Sequence, residues 1–424
     1  METPLTANIS PDREPLDITG YERAGGYRAV RKVLGGMTPA DVIDVVTRSK
    51  LRGRGGAGFP TGIKWSLVPK DVAVTGPHYL VVNADEMEPG TFKDRLLLEG
   101  DPHQLIEAAI VAAYAIQAAT AYIFLRGEYY PAERRLRQAI GEAAARGYLG
   151  ANILGSGYDL EIHVHTSGGR YICGEETALL TALEGRRAVP RAKPPFPQSS
   201  GLWGRPTVVN NVETLCNIPH IVNNGAEWFA DLGLGDEGGT KIYGASGRVK
   251  RPGAWELPMG TPLSELIENH AGGMRDGYAL RGVLPGGLST SFITPENIAV
   301  KMDYASVEKI GSRLGTGTVI VLDDRTCPVG MLRNAEHFFA QESCGWCTPC
   351  RDGLPWVERL LAGIEAGEGE TEDLDILEQH VGLLGPGRTF CAHAPGAMAP
   401  LASGLKYFRA DFERHIHDKR CPWA

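Results

Sequence analysis

The chain has 424 residues, 43 Lys+Arg against 51 Asp+Glu, a formal net charge of −8, and 43% hydrophobic and 22% charged residues. At roughly 150 residues per domain it has room for about two to four domains with real cores. The composition excludes a disulfide-stapled miniprotein, a disordered chain and a basic nucleic-acid binder, so no nucleic-acid partner is expected.

Only 8 cysteines, with a start (METPLTANISPDREPLDITG) that lacks both an apolar signal core and an Arg/Ser-rich transit face, lead us to expect a reducing cytoplasm. The 54 glycines and 28 prolines imply many loops, and loops are where chemistry is to be sought.

In chain order, residues 1–20 are polar and expected to be loose. DVIDVVTRSKL then carries Val42, Ile43, Val46 and Leu51 at helical spacing, so residues 1–65 read as a helical preface that ends in a glycine-rich loop. Over 66–235, short apolar runs (YLVV, AYIFL, LEIHVH) alternate with helical stretches such as PHQLIEAAIVAAYAI, the pattern of an α/β layer. Ile106 to Leu125 is long enough to span a membrane, but Glu107, Gln117 and Thr120 interrupt it and its end reads as strand. We expect a buried helix feeding a strand.

Over 236–326, TKIYGAS, GAWELP, ALRGVLP and GTVIVLDD read as strands, with one helix, PLSELIENHAG, between the second and third: a small α+β domain of β-grasp type. Over 327–424, four amphipathic segments (Val329 to Phe339, Leu354 to Ile364, Leu374 to Leu384, Met398 to Ile416) predict a four-helix bundle. The fold class is thus multi-domain α/β plus α+β plus all-α.

The strongest chemical signal is ESCGWCTPCR, which sets Cys344, Cys347 and Cys350 at Cys-x-x-Cys-x-x-Cys spacing, with Cys391 downstream in TFCAHAP. Zinc sites usually split their ligands into two pairs. A triple run with a remote fourth cysteine suits a four-iron, four-sulfur cluster better. Cys421 is a weaker rival for the fourth position, in a tail expected to fray, while Cys173, Cys216 and Cys327 read as small buried residues.

GRGGAGFPTG contains G-x-G-x-x-G as Gly53, Gly55 and Gly58, but a helical pattern precedes it, and Pro60 and Gly62 interrupt the segment after it. The usual dinucleotide fingerprint therefore fails. There remains a bare backbone that a flat ring could approach, flanked by Arg54 and Lys64 to offset phosphate, or a plain glycine turn.

YLVV runs into NADEMEPG, placing Asn83, Asp85, Glu86 and Glu88 beyond a strand's carboxyl end, as ligand groups or as a solvated acidic loop. In SGGRYICGEETALLTALEG, Gly174, Glu175 and Glu176 sit at a helix start, where carboxylates also suit the helix dipole. KPPFPQ presents Lys193 and Phe196 on a stiff segment, and TVVNNVETL puts Asn210, Asn211 and Thr214 where amides can cap or bind.

Taken in this order, GRGGAGFPTG, NADEMEPG, ICGEETAL, KPPFP, VNNVETL and ESCGWCTPCR closely resemble the flavin- and NADH-binding subunit of bacterial respiratory NADH:quinone oxidoreductase (complex I), over roughly Gly26 to Phe412. The resemblance implies a Rossmann-like flavin domain, a ubiquitin-like domain and a helical bundle holding one 4Fe-4S cluster. It places FMN against Gly53, Arg54, Gly55 and Gly56, with Lys64, Asn83, Asp85, Glu86, Gly174, Glu175, Asn210, Asn211 and Thr214 around it.

NADH would stack over the flavin, with Phe59 and Phe196 near the adenine, Lys193 near the pyrophosphate, and Glu88, Tyr171 and Glu176 near the nicotinamide; Glu88 and Glu176 would position substrate. Cys344, Cys347, Cys350 and Cys391 would hold the cluster. The resemblance further implies NADH dehydrogenase activity towards quinone and partner subunits of a peripheral arm that carry further iron–sulfur clusters. Membrane contact would be indirect, on the cytoplasmic face. The rival readings are the diaphorase subunit of a soluble NAD-reducing hydrogenase or formate dehydrogenase, and a non-catalytic zinc scaffold.

Overall fold

The computed structural model describes residues 2–423. The chain forms two compact units. The first holds the described residues up to 87 together with 92–242 and 256–260, and the second holds 88–91, 243–255 and the described residues from 261 onward.

The first unit is built on a parallel sheet of β1 (His78–Ala84), β2 (Ala118–Leu125), β3 (Glu161–Thr166) and β4 (Thr207–Asn211), in the order β3-β2-β1-β4. The continuous apolar runs of β1, β2 and β4 are those of strands covered on both faces. Helices Lys93–Gly100 and Pro102–Ala115 connect β1 to β2, and Tyr130–Ala145 connects β2 to β3. The apolar run tested as a membrane span is thus a buried helix followed by β2, and among the described residues no helix is long and apolar enough to cross a membrane.

The strand order has a consequence for the site. The chain steps from β1 outward to β2 and β3, then returns to the other side of β1 as β4, so direction reverses between β1 and β4. Crevices for ligands open at the carboxyl ends of strands at such a reversal.

The N-terminal segment is not loose as its polarity suggests. Leu5 is fully buried, and the backbone N–H groups of Leu5 and Thr6 donate to Glu256 at 3.1 and 2.8 Å. Two hydrogen bonds to one carboxylate and a buried leucine outweigh the polarity of the flanking residues.

A second sheet, mixed in direction, is formed by β5 (Thr240–Gly247), β6 (Gly253–Pro258), β7 (Leu280–Leu284) and β8 (Thr318–Asp323) in the order β6-β5-β8-β7, with β5 parallel and β7 antiparallel to β8. A helical turn, residues 263–270, lies between β6 and β7. This is the arrangement expected of a β-grasp.

Among the described residues the C-terminal region carries five helices instead of four: Pro328–Glu342, Thr348–Ala366, Thr371–Leu384, His393–Tyr407 and Arg409–Asp418. The predicted fourth segment breaks at Phe408, whose backbone (φ −119°, ψ 21°) leaves the helical region. Its ring is held edge-on against Phe292, with centroids 5.1 Å apart. Tertiary packing here overrides an apolar periodicity that runs through the break.

Candidate functional site

The carboxyl ends of β1 and β4 are in register, with Asn83 opposite Asn211. Asn211 caps the following helix, Val212–Cys216, and the glycine-rich loop closes over this edge. The loop's neck is pinned by Gly53 N–H to the Phe59 carbonyl at 2.9 Å, and the backbone N–H of Arg54 donates to Thr214 Oγ1 at 2.8 Å. A Cβ on Gly55 would stand 3.0 Å from Asn211 Cβ, so the bare backbone there serves close approach to β4.

After the loop, helix Thr61–Ser66 forms despite Pro60 and Gly62. Pro60 lies just before the helix, and Gly62 lets it seat on the preceding helix, since a Cβ there would come within 2.2 Å of Thr47 Oγ1. The helix delivers two side chains to β4. Trp65 Nε1 donates to Asn210 Oδ1 at 2.8 Å, and Lys64 Nζ donates to the Val209 carbonyl at 2.8 Å and to Glu176 at 2.9 Å.

Glu176 also receives Lys193 Nζ at 2.6 Å. Burial pushes its carboxyl up, but the two ammonium groups outweigh burial and hold it below the usual carboxylate range. Glu175 caps the helix Glu176–Leu183, accepting from Thr177 and Ala178 N–H at 2.9 and 2.8 Å, so the helix-end explanation of its sequence position holds. Tyr171 and Gly174 lie on the turn just before it, and Asn83 Nδ2 donates to the Gly174 carbonyl at 2.9 Å. Ser167 donates to Asp85 at 2.7 Å. Phe59 and Phe196 are both exposed aromatics, free to meet a flat ring.

Three expected site residues are engaged elsewhere. The Arg54 guanidinium is fully buried against the carbonyls of Gly238 and Thr240, at 2.7 and 3.0 Å, and does not flank the loop as a surface cation. Glu86 accepts from the N–H groups of Asp94 and Arg95 and from the Tyr129 hydroxyl. Burial and the Asp94 carboxylate push it up to about 7. Glu88 belongs to the second unit, where it accepts from Ser289 N–H at 2.7 Å.

Behind the loop lies a buried ionic centre. Lys93 Nζ stands 2.7 Å from both Asp94 and Glu213, and Lys241 stands 3.3 Å from Glu213. Asn211 is tied into this centre by donating to Asp94 at 2.7 Å. Burial pushes Glu213 up, but Lys241, Lys93 and Arg54 prevail and lower it.

In the second unit, Cys344 and Cys347 lie in the link before helix Thr348–Ala366, Cys350 lies in its first turn, and Cys391 lies just before helix His393–Tyr407. The exposed rings of Trp346 and Phe390, one beside each cysteine segment, meet edge-on at 6.3 Å. Burial, with the neighbouring Cys347, Cys391 and Cys344 thiols, pushes Cys350 up to about 12. A cationic metal centre would reverse that rise, since its charge lets a ligating thiol ionise.

The Nuo51 FMN-binding domain family matches residues 46–220, the iron–sulfur binding region of NADH-ubiquinone oxidoreductase-F matches 330–415, and the SLBB domain matches 244–292. The F subunit of NADH-quinone oxidoreductase from Escherichia coli (strain K12) is 54% identical over 97% of this chain and 93% of its own length. The F 2 subunit of the same enzyme from Rhizobium meliloti (strain 1021) is 54% identical over 100% of this chain and 99% of its own. The chain belongs to the family of NADH-quinone oxidoreductase F subunits. A crystal structure of an NAD+-reducing [NiFe]-hydrogenase in the H2-reduced state superimposes with a TM-score of 0.83 at 33% identity, over 97% of this chain and 68% of that one.

Within this member of the NADH-quinone oxidoreductase family, motif reading missed Trp65, Lys93, Asp94 and Glu213, which hold Asn210 and Asn211 in place. Lys93 and Asp94 stand in TFKDRLLLEG, where two charges at a helix start look like an ordinary solvated turn. Trp346 had a usable signal, an aromatic inside the cysteine run.

Proposed function

We propose that this chain oxidises NADH through FMN and passes the electrons to a 4Fe-4S cluster held by Cys344, Cys347, Cys350 and Cys391. The observation that carries the reading is the pairing, in one chain of this family, of a glycine loop stitched over the β1/β4 edge with a second segment holding these cysteines. When bound, FMN supplies the conversion between a hydride donor and a one-electron acceptor.

The residues prepare that chemistry by position. Gly53, Gly55 and Gly56 present backbone without side chains, so a ring can lie close. Trp65 takes the Asn210 oxygen, which leaves the amide Nδ2 as the available donor. Lys64 and Lys193 fix Glu176 as a carboxylate, able to accept from a ribose hydroxyl or a carboxamide. Asn83, Asp85, Asn211 and Thr214 line the same edge, and Phe59 and Phe196 offer faces to the adenine. No side chain needs to act as nucleophile or general base. The fixed carboxylate also favours NADH over NADPH, whose additional phosphate would meet negative charge.

The chain would work with partner subunits that carry further clusters towards quinone, and would meet the membrane only through them. A soluble NAD-reducing hydrogenase is the second setting, favoured by the structural likeness at a TM-score of 0.83. The test is anaerobic purification with FMN, iron and sulfide quantitation, then identification of the co-purifying subunits. Stoichiometric FMN with a cubane's iron and sulfide is expected. Protein holding zinc and no flavin would overturn the reading.

A further inference from the structure

Cys327, His415 and Cys421 come together in the second unit, well separated in sequence from the cysteine run. Their ligand atoms all lie within 4.8 Å of one another, and Cys327 Sγ stands 3.3 Å from His415 Nε2. We propose that these three side chains bind a zinc ion.

The spacing suits one ion. Ligands about 2.0–2.3 Å from a tetrahedral centre lie roughly 3.5–4 Å from each other, closer than the corners of a cubane require. The histidine is already oriented. Its Nδ1 stands 2.6 Å from the Asp411 carbonyl, which can only accept, so the proton is on Nδ1 and the lone pair of Nε2 faces the sulfur.

Cys327 precedes helix Pro328–Glu342 and its sulfur accepts from Gly330 N–H at 3.3 Å, which fixes its position; burial and the neighbouring Cys421 thiol push it up to about 12, and the charge of a bound cation would reverse that. Two thiolates and a neutral imidazole bring a divalent ion to zero net charge, so this partly buried set needs no further counter-ion. Two soft sulfurs with one imidazole select zinc among the common divalent ions.

The chain's end is shaped to deliver the third ligand. Helix Arg409–Asp418 stops at Lys419, a non-glycine residue at φ 51°. Its ammonium is anchored to the Gly369 carbonyl at 3.1 Å and to Glu370 at 3.0 Å. The reversal returns Cys421 to Cys327, and Trp423 stacks on the His415 ring at 5.7 Å and 16°. The tail read from sequence as frayed is thus held, and Cys327 is not a merely buried thiol. Cys327 and Cys421 also line a cavity of about 570 Å³ with Arg333, Glu365 and Trp423, which gives a fourth ligand position access to water.

The test is zinc quantitation by elemental mass spectrometry on the full-length protein, purified anaerobically with its flavin and cluster. Zinc K-edge absorption is then measured on the same sample. About one zinc per chain is expected, with two sulfurs at about 2.3 Å and one nitrogen at about 2.0–2.1 Å. In Cys421→Ser, a substitution at a partly exposed position, zinc should fall at least tenfold while iron and FMN are unchanged. His415→Ala should do the same.

Wild-type protein without zinc, zinc retained in Cys421→Ser, or zinc surrounded by sulfur alone would each overturn the proposal. So would a Cys327–Cys421 disulfide found by peptide mapping after anaerobic alkylation. The wild-type measurement decides the matter even if a variant fails to fold, and it does so independently of NADH oxidation.

Discussion

The backbone N–H of Arg54 and the hydroxyl oxygen of Thr214 meet at 2.8 Å in a buried position, joining the glycine-rich loop to the helix after β4. Thr214→Val keeps the shape and removes the acceptor. An N–H left unpaired in the interior costs about 1–3 kcal/mol. We expect a lower melting temperature and a reduced FMN-to-protein ratio, with iron content unchanged. Full flavin occupancy at wild-type stability would mean that the loop does not depend on this bond.

Glu176 pairs with both Lys64 and Lys193. Glu176→Gln removes that negative charge and leaves both cations facing the nucleotide. One charge at contact distance in a water-like medium is worth about 1 kcal/mol, so the NADPH-to-NADH ratio of kcat/KM should rise about fivefold. Steady-state kinetics with both nucleotides on flavin-replete protein measures it, and an unaltered ratio would remove Glu176 from nucleotide selection.

Glu336, on helix Pro328–Glu342, is fully buried with neither oxygen hydrogen-bonded among the described residues. Burial raises its carboxyl well above the usual range. The folded chain therefore keeps a proton that the unfolded chain loses above about 4.5, and stability falls as pH rises from there. Glu336→Met removes both the polar burial and this fall. Denaturant titration should give about 1–3 kcal/mol of added stability, larger at pH 8 than at pH 5. A gain that is flat in pH would point to another origin.

Lys241 behaves with the opposite sign. Burial lowers it to about 7, with Lys93 and Arg54 adding to the effect against the attraction of Glu213, whereas an exposed lysine titrates near 10.5. Between those values the folded chain has given up a proton that the unfolded chain retains, so stability climbs with pH. In Lys241→Met the melting temperature should be nearly level across this window, because Glu213 still has Lys93 at 2.7 Å and the Ile242 N–H at 2.8 Å.

What the sequence disclosed and what it hid divide along one physical line. Strands β1 to β3 and the first three C-terminal helices announce themselves through local periodicity. The run of Cys344, Cys347 and Cys350 does so through spacing, and the motif blocks through resemblance. Hidden were arrangements that depend on residues far apart in the chain: Glu256 gathering Leu5 and Thr6, Phe292 breaking a helix at Phe408, and Cys421 returning to Cys327. The partners that hold the side chains of Arg54 and Glu86 were hidden for the same reason. A charged side chain beside a loop looks like a ligand group until the buried carbonyls or amides that occupy it are known.

The charge on Glu213 is compensated by Lys93, 120 positions earlier, and by Lys241, 28 positions later. During synthesis the strands of the first sheet leave the ribosome before Lys241 does. A nascent chain halted after β4 holds this carboxylate with Lys93 and Arg54 but without Lys241, and the nucleotide-facing edge that leans on it is still unfinished. Cofactor loading is then expected to follow the emergence of Lys241, and FMN binding by chains stalled before and after that residue would test it.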